Sequence, residues 1–143
     1  QFPLKTIDVV DDIIGVFDQV TGLNTDSGRM FRLYNAAFAR FPDSDGLKYW
    51  IGNFSSGKDD ERAVASSFLA SAEFKQRYGE NVSGSTYVNT LYKNVLGRDA
   101  DSGGLNYWLG QLNSGAETRY EVLLGFSESA ENKTLFTEVT GLG

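Results

Sequence analysis

Neither cysteine nor histidine occurs anywhere in this chain. Their absence excludes disulfides, zinc or copper sites built from imidazole and thiolate, and Ser-His or Cys-His nucleophile pairs. Only carboxylate, tyrosine, lysine and arginine side chains remain for acid–base work. A chain without cysteine also fits an exported bacterial protein that needs no disulfides. Basic residues are scattered singly, 13 Lys and Arg against 19 Asp and Glu, for a net charge of −6. That balance argues against a nucleic-acid backbone or an anionic membrane as the main partner, because both require clustered cations. No stretch approaches 18 consecutive apolar residues, so no membrane insertion is expected. The chain begins at Gln1 without methionine, and the expectation is that it is processed or excised from something longer.

What the chain does have is a repeat. Leu33–Glu73 and Leu91–Glu131 align without a gap at a spacing of 58 residues, with 17 identities in 41 positions. Periodicity of this size marks a supersecondary unit that buries its apolar face against a second copy. At 143 residues with 41% hydrophobic content, the chain is long enough for one packed core.

Apolar spacings of three and four predict helices throughout, and no period-2 strand is found. Ile7, Val10, Ile14 and Phe17, with Val9, Ile13, Val16 and Val20, predict an N-terminal helix over 6–20. Asp26 or Ser27 is expected to cap a second helix with Met30, Tyr34, Ala37 and Phe38 inward. Leu47, Trp50, Ile51 and Phe54 mark a third. Val64 and Phe68 mark a fourth, begun at Asp59 or Asp60. Ser71 opens a fifth containing Phe74 and Tyr78. The second copy repeats this order, from a cap at Ser83 or Ser85 to a last helix that buries Leu135, Phe136 and Val139. The expected fold is all-α: one compact domain over 1–143, with repeat one at 27–79 and repeat two at 83–139.

Four features recur in both copies. The first is an acidic turn with Asp43 and Asp45 in copy one, and Asp99 and Asp101 in copy two. Aspartates two apart on a glycine-containing turn suit a hard cation, so calcium is the candidate metal and these four its candidate ligands. The EF-hand pattern fails, because counting from Asp99 puts Gly110 where the bidentate carboxylate belongs. The plainer reading makes Asp43 and Asp101 helix N-caps. The second feature pairs Tyr49-Trp50 with Tyr107-Trp108. The tryptophans fall on the apolar stripe, while Tyr49 and Tyr107 sit one step off it and are candidate contacts for sugar rings. The third is Arg40 and Arg98, each just past a helix end. They are read as structural latches to free carbonyls or to Asp43 and Asp101, or as contacts for an anionic ligand. The fourth is Ser-Ala-Glu at 71–73 and 129–131, which resembles a helix start. Glu73 and Glu131 lack an identifiable partner, so no catalytic residue and no enzyme activity is expected.

The run from Arg40 to Trp50, its second copy from Gly97 to Trp108, and the segments Phe68–Phe74 and Phe126–Asn132 together resemble a bacterial family. It is the domain of unknown function 4214 family, similar in pattern to the phycobilisome linker domain and to helical anchoring regions of some S-layer proteins. Ala39 and Phe41 depart from the family's Gly-Arg-acidic pattern in copy one. The resemblance implies an accessory module of a large exported protein, such as an S-layer protein, an adhesin or a secreted enzyme beside RTX calcium-binding repeats. The expected role is therefore non-catalytic. The module would lie outside the cell or at its surface and mediate attachment, with a calcium-assisted contact to envelope polysaccharide. The alternative is a structural linker or protein–protein interaction domain.

Overall fold

The computed structural model describes residues 12–143, and these are all-α with no strand. Helix α1 covers 12–19. It is followed by α2 (Asp26–Phe38), α3 (Ser44–Ser55), α4 (Glu61–Leu69), α5 (Ala72–Tyr78) and α6 (Gly84–Leu91). A π-helical turn at Tyr92–Leu96 then leads to α7 (Ser102–Asn113), α8 (Arg119–Ser127) and α9 (Ala130–Thr140). Residues 6–11 of the expected first helix lie outside the described residues. A shift of 58 residues carries α3 onto α7 and α4 onto α8 end to end, and α2 onto α6 together with the π turn.

The helix starts explain this agreement. Thr25, Asp43, Asp60, Ser71, Ser83, Asp101, Thr118 and Ser129 are extended, and each side chain accepts the backbone N–H three residues on. One such cap contributes about 1 kcal/mol. The cap of α2 is thus Thr25 rather than Asp26 or Ser27. Asp26 falls into the first turn, where a carboxylate favours the helix dipole. The Ser27 hydroxyl instead accepts from the Thr21 backbone at 3.0 Å. At the other end, α2 stops at Ala39 in the left-handed region, φ 52°, where copy two has Gly97 at φ 67°. Alanine there carries a Cβ penalty of roughly 1 kcal/mol that glycine avoids, so the family's Gly-Arg pair is a helix stop that copy one performs under strain.

Helix α2 runs through the centre of the molecule, with Met30, Phe31, Leu33, Tyr34, Ala36, Ala37 and Phe38 all buried. Helices α4 and α8 pack on each other, and α8 also packs on α2. They bring Val64, Ala65 and Phe68 of copy one and Val122, Leu123 and Phe126 of copy two into one core. Several expectations of burial are corrected at the rim. The buried side of α1 passes through Val16 and continues to Val20 just past its end, leaving Ile13 and Ile14 exposed, because only that side of α1 meets the other described residues. Val139 is half-exposed and Leu135 only partly buried, since α9 meets the core through Phe136. Phe17 of α1 and Val20 just past it share a surface depression of about 290 Å³ with Val139, Thr140 and Leu142, so the end of α1 borders the last residues.

The copies differ in what covers them. On α2, Phe31 meets Phe136 of α9 with ring centroids 5.8 Å apart. A Cβ at Gly28 would run into the Gly22 carbonyl oxygen, so the 22–23 segment packs directly on the helix. The equivalent face of α6 carries Thr86, Asn89, Thr90 and Lys93 and lines an open depression. Asn89 stands there in place of Phe31, and among the described residues no helix covers that face.

Candidate functional site

Each copy assembles the same four side chains. In copy one, Arg40 donates from Nε to Glu73 Oε2 at 2.7 Å and from Nη2 to Glu73 Oε1 at 2.9 Å. It also donates from Nη1 to the Phe41 carbonyl at 3.0 Å and from Nη2 to the Tyr34 hydroxyl at 3.1 Å. Tyr34 in turn donates to Asp43 Oδ1 at 3.3 Å. In copy two, Arg98 holds Glu131 through Nε and Nη2 at 2.8 and 2.9 Å, and its Nη1 donates to the Asp99 carbonyl. The guanidinium lies 5.0 Å from the centre of the Tyr92 ring, against 5.2 Å for Arg40 and Tyr34. The main partner of each arginine is therefore the glutamate 33 residues on. Asp101 stands 3.7 Å from Arg98 as a secondary contact. Glutamate wins over aspartate because Asp43 and Asp101 are committed to capping α3 and α7. The carboxylates at the start of α5 and α9 face the fork squarely and accept in bidentate fashion.

This arrangement ties the end of α2, or of the π turn, to the start of the last helix in its copy. The arginine beside Glu73 holds its carboxyl below the usual range, with Arg77 adding to the effect, and Arg98 does the same for Glu131. A carboxylate with a depressed folded-state pKa stabilises the fold above its ordinary value of 4.5. That contribution is lost as pH falls through the depressed value. Both pairs are partly exposed, and the Arg40–Glu73 pair is worth at most about 1 kcal/mol. Glu73→Gln is accordingly expected to lower stability by about 0.5 kcal/mol at pH 7 and to flatten the loss between pH 5 and pH 3. Urea midpoints across that range check it, and an unchanged acid limb would refute the role.

Asp43 Oδ2 accepts from Gly46 N at 3.0 Å, and Asp101 Oδ2 accepts from Gly104 N at 3.1 Å. The Gly104 amide is also the main cause that holds Asp101 below its ordinary pKa. Glycine belongs at both positions, because a Cβ there would crowd the cap carboxylate and, at Gly104, collide with the Tyr92 hydroxyl. Asp99 pairs with Lys93 at 3.0 Å, and Asp45 lies in the first turn of α3. No group of three or more acidic side chains able to hold a metal comes together among the described residues. Asp43 and Asp101 thus serve as caps and Asp99 as the surface partner of Lys93.

Tyr49 and Tyr107 are 56% and 57% exposed, the most open large apolar side chains on the described surface. Each stands edge-on to the next residue, Trp50 or Trp108, with centroids 5.0 Å apart. The tryptophans are half-buried rather than core. Trp50 packs on Phe68 and Trp108 on Phe126, both at 5.0 Å. The sequence reading passed over Arg32. Its side chain is 1% exposed and forms a bidentate pair with Glu128. The signal was a lone cation inside the run Met30–Tyr34, at a position where copy two has Thr90.

The model of a domain of unknown function, DUF4214, matches residues 65–136. That stretch runs from within α4 to within α9. It includes α5, the whole Arg98–Glu131 constellation and the packing of α4 on α8. No curated protein and no solved structure matches the chain. With half its length matched and the repeated Gly-Leu-x-Tyr-Trp segment explained as a capped helix start, the chain belongs to the DUF4214 family.

Proposed function

We propose that this chain is a non-catalytic attachment module of a bacterial cell-surface or secreted protein, and that it contacts polysaccharide through Tyr49 and Tyr107. The observation that carries the reading is the pair of exposed tyrosines at equivalent places in the two copies, with matching exposure and matching seats on tryptophan. The charged constellations are saturated by their own partners, which suits them to holding the helices rather than to acid–base turnover. Calcium is left out of this reading, because no three acidic side chains converge among the described residues.

A structural docking role is the second reading. It draws on α7, in which Leu105, Leu109 and Leu112 are only half-buried and no residue is fully covered.

The test is co-sedimentation with insoluble bacterial envelope polysaccharides, with and without chelator. The double variant Tyr49→Ala/Tyr107→Ala is expected to lose at least about tenfold in affinity, equivalent to ~1.4 kcal/mol. Its melting temperature should change little, because both rings are mostly exposed. Binding by the unsubstituted chain that survives both substitutions would discard the tyrosines. Absence of binding to any polysaccharide would favour the docking role.

A further inference from the structure

The side chains that would normally cover each tyrosine have been removed from it, by the same two means in both copies. A helical side chain leans towards the N-terminus and lies over the preceding turn. The residues that would shade Tyr49 are therefore 52 and 53, and those for Tyr107 are 110 and 111. Positions 52 and 110 are glycine. Neither glycine has a positive φ, and a Cβ at either would meet nothing within 4 Å. No turn or close contact requires glycine there, and it weakens a helix relative to any ordinary residue. At 53 and 111 the side chains are drawn away down the helix. Asn53 Nδ2 donates to Asp59 Oδ2 at 3.1 Å, and Gln111 Nε2 donates to Glu117 Oε2 at 2.9 Å. The outcome is a bare aromatic face beside bare helix backbone, formed twice.

Building on the polysaccharide reading above, we infer that Tyr49 and Tyr107 are two equivalent sugar-ring subsites, held open by residues 52–53 and 110–111, so that one chain grips a repeating glycan at two points. A single ring flanked by polar side chains fits the apolar face of a pyranose and hydrogen bonds to its hydroxyls. Each ring is backed on one side by its tryptophan, at 5.0 Å, and open where residues 52 and 110 carry no side chain. A protein partner of comparable strength would call for a contiguous apolar area around the ring. Two identical weak subsites convert modest affinity for one sugar into avidity for a polymer.

The test uses the whole chain against neutral oligosaccharides of increasing length and their parent polymers, by titration calorimetry and sedimentation. The expected stoichiometry for a short oligosaccharide is two per chain, falling to one in Gly110→Gln. The double variant Gly52→Gln/Gly110→Gln should lose at least about tenfold in polymer affinity. Its melting temperature should rise by a few degrees, because glutamine is the better helix former. Binding and stability moving in opposite directions is a signature that a purely structural glycine cannot give. Retained polymer binding in the double variant, a fall in its melting temperature, or a stoichiometry of one in the unsubstituted chain overturns this inference and leaves the polysaccharide reading standing. Absence of binding by the unsubstituted chain overturns both.

Discussion

Replacing Glu128 by alanine is expected to cost roughly 3 kcal/mol of folding stability, the low end of the 3–5 kcal/mol seen when one partner of a buried ion pair is removed. The Arg32 side chain is almost fully enclosed, while Glu128 remains 21% exposed. That partial hydration keeps the cost near the lower bound. In the native chain Arg32 Nε and Nη2 meet the two carboxylate oxygens at 2.8 and 2.9 Å, Nη1 donates to the Leu23 carbonyl at 2.7 Å, and the guanidinium lies 4.8 Å from the Phe136 ring centre. Without Glu128, the cation keeps one carbonyl and a ring face. Replacing both partners, as in Arg32→Met/Glu128→Leu, removes the stranded charge and should recover most of the loss. Urea unfolding of the two single variants and the double variant decides the matter. A Glu128→Ala cost below about 1 kcal/mol, or a double variant no better than Glu128→Ala, would refute it. The pair joins residues 96 apart, one from each copy, so its loss should be felt by both halves in one transition.

Phe68→Ala is expected to destabilise by about 3–5 kcal/mol through lost burial and the cavity left behind. Phe68 is 3% exposed, and its ring centroid lies 5.0 to 5.5 Å from those of Tyr34, Phe38 and Trp50. Phe126, its equivalent in copy two, meets Tyr92 and Trp108 at 4.9 and 5.0 Å. Phe126 has one aromatic neighbour fewer, and α7 is the less buried of the two equivalent helices. Phe126→Ala should therefore cost less, by about 1 kcal/mol. Denaturant midpoints compared at constant slope measure the difference. Equal costs would show that the two clusters are energetically the same despite their different surroundings.

Most of the architecture could be read from residues whose physics is local. Ser71, Ser83, Asp101 and Ser129 announced helix starts because a short side-chain oxygen three residues before a free N–H can do little better than cap it. The 58-residue period then transferred one copy's boundaries to the other. The missed features are those settled by distant neighbours. The bond between Arg40 and Glu73 spans 33 residues, and nothing near Arg40 distinguishes Glu73 from the closer Asp43. Ile14 and Val139 carry the right spacing for burial, yet among the described residues no further element covers them. Of the candidate site, the exposure of Tyr49 and Tyr107 followed from their place one step off the apolar stripe. The openness of their ring faces depends on Gly52 and Gly110, whose effect shows only once a Cβ built at either is seen to meet nothing within 4 Å.

The closeness of α1 to the last residues bears on how such a unit transmits tension. Phe17 and Val20 border the same depression as Val139 and Leu142. At 1.5 Å per helical residue, Asp12 is only about 12 Å of helix away from Val20. Helix α1 thus borders the last residues at its C-terminal end, while Asp12 at its start accepts from the Ser44 amide at 2.7 Å and ties that end to α3. A pull on α1 and α9 would reach the Arg32–Glu128 tie early, because Phe136 of α9 lies on the Arg32 guanidinium and Glu128 stands just before α9.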